Sequence, residues 1–316
     1  MPEMKYTTLG RTGLRVSVMG IGSGGPSRLG QNSGVPKDEI KRMVRRAFEL
    51  GINFFDTAAA YGDSEEILGR ALEGIPREDY VLVTKFHASR SGIFATPEEV
   101  IASVDRSLSR LKVDYVDVMQ IHGVELPDYR ETVDGLMPTL NKLKEQGKFR
   151  FIGISETYSR DPKHEMLPVA LEENLFDTIM VGYNLLSPTP EHVILPASLD
   201  HNVGVICMCA VRRALGHADS LDKRIADAKS RNVIDPDSLP SEDPLGWLIK
   251  DHVESLPAAG YKYVASHPAM GTVLTGTANI EHLEANVEAI LGPPLPEEDM
   301  TRLRLVFGQV WEPLGN

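Results

Sequence analysis

The sequence predicts an α/β protein in which one domain, residues 1–316, folds as a (β/α)8 TIM barrel. Short apolar runs rich in β-branched residues alternate with amphipathic stretches of helical period, and no linker interrupts the alternation. A chain of 316 residues is long for one ordinary domain but typical of a barrel of eight strand–helix units. We therefore expect one barrel rather than two smaller domains.

Eight apolar runs are the candidate barrel strands. Their length and their β-branched residues are typical of strands buried in a parallel sheet, and they cover residues 16–23, 52–57, 80–86, 115–122, 149–155, 178–184, 203–210 and 272–277. Amphipathic stretches, several of which open with Pro, Ser or Asp, predict the covering helices. These stretches cover residues 38–50, 64–72, 97–111, 136–146, 162–173, 191–200 and 257–266, and residues 280–291 follow the eighth strand.

Three segments lie outside this repeat. Residues 6–16 predict an N-terminal β-hairpin that closes the bottom of the barrel. Residues 212–244 form a long, polar insertion after the seventh strand, and long insertions of this kind often act as functional lids. Residues 296–310 predict a C-terminal helix.

The composition excludes several classes of protein. Hydrophobic residues make up 42% and charged residues 25% of the chain, which excludes wholesale disorder. The net charge of −12 argues against binding to nucleic acid or to an anionic membrane. No stretch has the length of a signal peptide or a membrane span, and the two cysteines, Cys207 and Cys209, are too few and too close for a disulfide framework. We therefore expect a cytoplasmic protein with reduced cysteines.

Ionisable residues end three neighbouring strands. Asp56, Lys85 and His122 each close an apolar run, and Tyr61 follows Asp56 by five residues. Barrel active sites form at the carboxyl ends of the strands, so we expect these four side chains to converge there. A phenol has an ordinary pKa of about 10 and gains from a nearby cation that stabilises phenolate. The alternative is structural, with Asp56 and Lys85 as a buried ion pair and Tyr61 as a core aromatic residue.

One long motif resembles the aldo-keto reductase superfamily. Residues 51–69 read GINFFDTAAAYGDSEEILG, VTK ends at Lys85, and QIH ends at His122. The similarity covers nearly the whole chain, including LGRTGLRVS at residues 9–17 and VLTGT at residues 273–277. The resemblance implies an NAD(P)H-dependent oxidoreductase without a metal.

The resemblance also implies a role for each candidate catalytic residue. In the family, the tyrosine matched by Tyr61 protonates the carbonyl oxygen as hydride leaves the nicotinamide. The residues matched by Lys85 and Asp56 lower the pKa of that tyrosine, and the residue matched by His122 orients the carbonyl group. The expected substrate is a small-molecule aldehyde, ketone or sugar, or the corresponding alcohol.

Positions that contact the cofactor in the family are matched at strand ends and after the last strand. They are Gly22, Ser23, Asp56, Ser155, Glu156, Met180, Met208, Arg212, Gly276, Thr277, Ala278, His282 and Asn286. Three of them depart from the common pattern, because Glu156, Met180 and Met208 replace the Asn, Gln and aromatic residue that many relatives place around the nicotinamide.

The adenine end departs as well. Relatives that select NADPH commonly carry Lys or Arg near the matches to Gly276, Ala278 and His282, where this chain offers only the histidine. Arg212 or Arg213 would supply the missing charge, or both are solvated loop residues. The resemblance slightly favours NADP(H), and we expect NAD(H) to be usable.

Two other functions stand beside the reductase. Some members of the superfamily are accessory proteins of channels, so a non-catalytic nucleotide-binding subunit is the alternative, although Asp56, Tyr61, Lys85 and His122 are all present. A barrel lyase or hydrolase would need a metal cluster or paired carboxylates, and only Asp56 and Glu156 lie at strand ends. The sequence leaves the physiological substrate, the reaction direction and the oligomeric state open.

Overall fold

A computed structural model describes residues 3–90 and 92–315 and assigns twelve strands within them. The strands are β1 (Tyr6–Thr8), β2 (Arg15–Ser17), β3 (Met19–Gly22), β4 (Phe54–Asp56), β5 (Val81–Phe86), β6 (Ser89–Arg90), β7 (Ile93–Phe94), β8 (Val116–Val124), β9 (Phe149–Glu156), β10 (Thr178–Gly182), β11 (Gly204–Met208) and β12 (Met270–Thr275). Eight of them form a closed barrel in the order β3, β4, β5, β8, β9, β10, β11, β12, and every neighbouring pair is parallel. The predicted TIM barrel is confirmed.

The same residues contain eleven α-helices. They are α1 (Lys37–Glu49), α2 (Ser64–Leu72), α3 (Pro97–Leu111), α4 (Leu126–Glu145), α5 (Met166–Glu173), α6 (Ile194–Asp200), α7 (Arg213–Gly216), α8 (Ala218–Ser230), α9 (Leu256–Ala265), α10 (Ile280–Leu291) and α11 (Glu297–Phe307). The predicted C-terminal helix corresponds to α11. No helix within the described residues is long and apolar enough to cross a membrane.

The N-terminal hairpin closes the bottom of the barrel, as predicted. Strands β1 and β2 pair antiparallel, and Leu9 between them is fully buried in a cluster with the barrel-interior residues Phe54, Val118 and Met180. The predicted strand over residues 16–23 is wrong at its start, because Val16 belongs to the hairpin. The backbone N–H of Val18 donates to Lys5 O, which keeps the chain with β1 until β3 enters the barrel.

One helix prediction was also wrong in extent. The helix predicted at residues 136–146 begins ten residues earlier, as α4, because Pro127 occupies the first turn, where no backbone N–H needs an intrahelical partner. The insertion predicted at residues 212–244 contains α7 and α8. The short antiparallel ribbon of β6 and β7 was not predicted, since two-residue strands leave no alternating pattern in a sequence.

The hairpin turn supplies a stability prediction with a matched control. Gly13 has φ of +68°, a conformation that disfavours a Cβ, although no atom lies within 4 Å of where one would stand. We expect Gly13→Ala to lower the free energy of unfolding by about 1–2 kcal/mol. Gly135 lies in α4 with equally open space, so Gly135→Ala should raise it by about 0.5–1 kcal/mol. Urea denaturation measures both changes. If the two substitutions changed the free energy of unfolding in the same direction, the prediction would be wrong.

Candidate active site

The ends of β4 and β5 bring Asp56 and Lys85 into contact. The two strands are adjacent and parallel, with Asp56 opposite Val83 in the register. Lys85 Nζ donates to both carboxylate oxygens of Asp56, at 2.6 and 2.7 Å, and to Thr57 O at 2.8 Å. Both side chains are buried, so the pair is held in one geometry with all three ammonium hydrogens used.

Tyr61 lies in the turn that follows β4. Its backbone N–H donates to Ala58 O, and its hydroxyl oxygen lies 3.3 Å from His122 Nε2. Lys85 Nζ lies 5.3 Å from the centre of the tyrosine ring. A Cβ at Gly24 would stand 2.8 Å from the ring carbons, so a glycine at that position lets the loop after β3 approach Tyr61. The structure therefore brings the four predicted catalytic residues together at one end of the barrel.

The electrostatics of this group follow from burial and from one fixed cation. Burial raises the pKa of Asp56, and the Lys85 ammonium acts against that rise. Burial also raises the pKa of Tyr61, and Lys85 again opposes it by stabilising phenolate. Burial, Lys85 and His87 together lower the pKa of His122 to about 2. The imidazole of His122 is therefore neutral at physiological pH and presents one donor nitrogen and one acceptor nitrogen.

His87 is a residue of this group that the sequence reasoning missed. Its ring stacks on that of His122, with centroids 4.4 Å apart and planes 13° from parallel, and its Nδ1 lies 3.2 Å from His122 O. A signal was present, since His87 follows Lys85 by two residues and alternation places such residues on the same face of a strand.

Glu156 uses both of its carboxylate oxygens within the protein. One oxygen accepts from the backbone N–H of Gly182 at 2.7 Å, and the other lies 2.7 Å from His164 Nδ1. Ser155 is buried, and its hydroxyl oxygen accepts from the backbone N–H of Gly123 at 2.8 Å. These two predicted cofactor contacts thus join β9 to its neighbours β8 and β10.

The two methionines predicted near the nicotinamide lie on β10 and β11. Met180 is buried in the barrel interior, and Met208 is partly buried against the same cluster. The ring of Tyr158, from the loop after β9, covers Gly182 so closely that a Cβ there would overlap it. An aromatic ring therefore lies at this side of the barrel mouth, although position 208 carries none.

The opposite side of the mouth carries two glycines, Gly22 and Gly276. Gly22 ends β3, and a Cβ on Gly276 would be 3.8 Å from Gly22 O, its nearest neighbour. Ser23 donates to Asp56 O through both its N–H and its hydroxyl, at 2.9 and 2.8 Å. Gly276 leaves the backbone after β12 uncovered, so this edge can accept a flat ligand, whereas the Leu274 side chain packs against Gly22.

The segment after β12 leads into the N-terminus of α10. The Asn279 side chain accepts from the N–H of His282 and so caps the helix. Asn286 Nδ2 donates to Thr275 Oγ1 at 2.9 Å, which fastens α10 to the end of β12. Thr277 accepts from the N–H of Asn279, and Ala278 lies beneath Gly30 of the loop after β3. The contacts of Thr277, Ala278 and Asn286 thus hold the segment between β12 and α10 in place.

Arg212 borders the mouth from the insertion. Its Nη1 would lie 3.9 Å from a Cβ on Gly25, and Gly315, near the C-terminal end, lies beside its Cβ. Arg213 is exposed at the start of α7. Gly315 also approaches the mouth through its carbonyl oxygen, which accepts from the N–H of Ala214. Within the described residues, no cluster of three His, Cys, Asp or Glu side chains could hold a metal ion.

The fold and the site define a class of protein, the barrel oxidoreductases whose mouth combines a tyrosine, a histidine and a Lys–Asp pair. The model of the Aldo/keto reductase family matches residues 19–306. The chain therefore belongs to the aldo-keto reductase family. It is an enzyme of that oxidoreductase class, and enzymes of this class use NAD(P)H.

Individual relatives agree with this assignment. L-galactose dehydrogenase of Arabidopsis thaliana is 43% identical over 160 residues, which is 49% of this chain and 49% of the relative, so that alignment spans about half of either protein. The NADH-specific methylglyoxal reductase of Escherichia coli K12 is 31% identical over 64% of this chain and 66% of its own. The solved holo form of an aldo-keto reductase from Bacillus halodurans has a TM-score of 0.72 at 27% identity, covering 99% of this chain and 100% of its own.

Proposed function

We propose that this protein is an NAD(P)H-dependent carbonyl reductase, or the reverse alcohol dehydrogenase, in which Tyr61 transfers the proton. The 3.3 Å contact between Tyr61 Oη and His122 Nε2 carries the proposal, because it marks one place where a carbonyl oxygen would meet both groups. The Lys85–Asp56 pair lies behind it as a fixed cation. A merely structural ion pair would not need the phenol and the imidazole beside it.

Each residue has a defined task in this proposal. The nicotinamide supplies a hydride to the carbonyl carbon when it is bound. Tyr61 donates its proton to the carbonyl oxygen and becomes phenolate, and the Lys85 ammonium stabilises that charge. Asp56 holds Lys85 in position through two hydrogen bonds. His122, neutral because its pKa is about 2, donates from Nε2 to the same oxygen and orients it.

The residues present fit a nicotinamide nucleotide on structural grounds. Gly276, directly after β12, leaves the backbone there free of side-chain atoms beside the end of β3. The N-terminus of α10 follows this edge, and helix N-termini favour phosphate groups. Arg212, on the other side of the loop after β3, would add a cation near the pyrophosphate.

The substrate that suits this mouth is a small, polar aldehyde, ketone or sugar. Tyr61, His87 and His122 present nitrogen and oxygen atoms, and Arg28 lies close enough to Tyr61 to influence its pKa. Two relatives are named for L-galactose and methylglyoxal, both small oxygen-rich carbonyl compounds. Initial rates with these two compounds and with a bulky aromatic aldehyde test the proposal, and faster turnover of the aromatic aldehyde would contradict it.

Cofactor choice is a separate prediction, and we expect dual use of NADPH and NADH. The segment 276–282 offers no Lys or Arg for a 2′-phosphate, and Glu281 adds a negative charge. Loss of two charge-assisted hydrogen bonds, each worth about 1.5–3 kcal/mol, should compress the preference for NADPH. The measurement is the ratio of kcat/KM for the two nucleotides. A preference for NADPH beyond ~10³ would mean that a phosphate clamp exists elsewhere.

Arg212 and Arg213 provide a matched pair of variants for the cofactor prediction. If the charge of Arg212 also reaches the 2′-phosphate, Arg212→Ala should weaken the binding of both nucleotides, and that of NADPH more strongly than that of NADH. Arg213 is exposed at the start of α7. Arg213→Ala removes an equal charge from the next residue and should leave the ratio unchanged.

A further inference from the structure

Gln120 lies fully buried in the barrel interior, one inward-facing position before His122 on β8. Val118, two residues earlier, packs in the interior cluster, so alternation along the strand places Gln120 and His122 on the same face. In the register Gln120 stands opposite Lys85 on β5 and Gly153 on β9. It therefore lies beneath the four residues of the candidate active site.

The polar atoms of Gln120 are unusual for so buried a side chain. Neither its amide oxygen nor its amide nitrogen has a hydrogen-bond partner among residues 3–90 and 92–315. The same holds within that range for Nδ1 of His122 and for Oγ1 of Thr178. A buried amide without a partner is strongly unfavourable in an apolar surrounding, so such atoms are normally hydrogen-bonded to one another or to internal water.

Gly153 on β9 lets Gln120 and Thr178 approach each other. A Cβ on Gly153 would stand 2.9 Å from Gln120 Cγ and would overlap Thr178 Oγ1. The glycine thus leaves Gln120 and Thr178 side by side, with only backbone between them. Three polar groups without a partner among the described residues lie on β8 and β10, the two strands beside β9, and a water needs two to four such partners.

We propose that Gln120 is a positioning residue for His122. Its amide, through a water shared with Thr178, supplies the hydrogen bond that His122 Nδ1 accepts, and this fixes the imidazole proton on Nε2. The inference rests on the proposed function, in which His122 Nε2 donates to the carbonyl oxygen.

The position of the proton on the neutral imidazole of His122 matters for the proposed reaction. One ring nitrogen carries the proton and the other accepts, so a donor at Nδ1 selects the tautomer whose Nε2–H points at the substrate. The groups around His122 are Tyr61 and His87, which contact its ring, and Lys85 with Asp56, which lie behind Tyr61. Tyr61 can donate or accept at Nε2, so it leaves the tautomer undecided. The Nδ1 side decides it.

The experiment compares Gln120→Met with the parent enzyme by ¹⁵N NMR of the histidine side chains. The His122 signal is identified by its loss in His122→Asn. We expect the parent to carry its proton on Nε2 and the variant to show a mixture of the two tautomers. The kcat/KM for the carbonyl substrate should fall about tenfold, the effect of one ordinary hydrogen bond, with the Kd of the nucleotide unchanged.

Thr272→Val is the matched control. Thr272 is also fully buried, its hydroxyl likewise lacks a partner in the described part of the chain, and β12 lies on the opposite side of the barrel from β8. This variant should leave the His122 tautomer and kcat/KM as in the parent. A parent protein with its proton on Nδ1, or a Gln120→Met variant with an unchanged tautomer, would overturn the proposal.

The parent protein keeps the test decisive even if Gln120→Met does not fold. A crystal structure of the parent without a water between Gln120 and His122 Nδ1 would also overturn the proposal. Failure of the proposed function has a different signature, since full activity of a Tyr61 variant would remove the tyrosine from the reaction without changing the His122 signal.

Discussion

Tyr61→Phe is expected to lower kcat for carbonyl reduction by at least ~10²-fold while nucleotide binding survives. The substitution removes one oxygen atom, the proton donor in the proposed reaction, and general acid catalysis typically contributes 10²–10⁴-fold. The ring remains in place against Gly24 and the Lys85 ammonium. Steady-state kinetics together with the Kd of the reduced nucleotide separate the two effects.

Tyr80→Phe is the matched control for this loss. Tyr80 is a buried tyrosine directly before β5, at the opposite end of the barrel from Tyr61. Removal of its hydroxyl should leave kcat within twofold of the parent. If Tyr61→Phe retained more than about a tenth of the parent kcat, the proposed role of Tyr61 as proton donor would be refuted.

The convergence of Asp56, Lys85 and His122 was predictable because it depends on a few regular features. Parallel strands point their carboxyl ends to one side of a sheet, so residues that end neighbouring strands must meet. The apolar runs located those ends to within a few residues. The closed parallel barrel, in which β4, β5 and β8 are neighbours, confirms the strand order on which the prediction depended. Such placement needs only strand order and direction.

The environment of Glu156 was not predictable in the same way. Its partner His164 lies eight residues later, across a loop whose path is set by tertiary contacts rather than by local pattern. The sequence placed Glu156 at the nicotinamide by resemblance, and the structure gives both its oxygens partners within the protein. The approach of Gly315 to the mouth is likewise a long-range contact, which the hydrophobic periodicity of the sequence does not predict.

Lys85→Met is expected to lower kcat about as strongly as Tyr61→Phe and also to move the pH profile. Tyr61 is active as a donor while it is protonated, so reduction declines as pH rises through its pKa. Lys85 favours phenolate and thereby lowers that pKa against the larger effect of burial, which raises it. Without the ammonium the pKa of Tyr61 rises further, and the alkaline limb of the profile should move to higher pH.

The loss of Lys85 also leaves Asp56 buried without its partner, and breaking a buried pair costs about 3–5 kcal/mol. The double variant Asp56→Asn with Lys85→Met removes that charge and keeps the test possible if the single variant unfolds. Lys262→Met is the control. Lys262, on α9, is a second buried lysine, and its Nζ donates a hydrogen bond to Pro293 O at 2.7 Å. Its removal should leave the alkaline limb in place. If the alkaline limb of the Lys85→Met profile also stayed at the parent pH, Tyr61 and Lys85 would not be coupled. The phenolate of Tyr61 would then need another group to stabilise it.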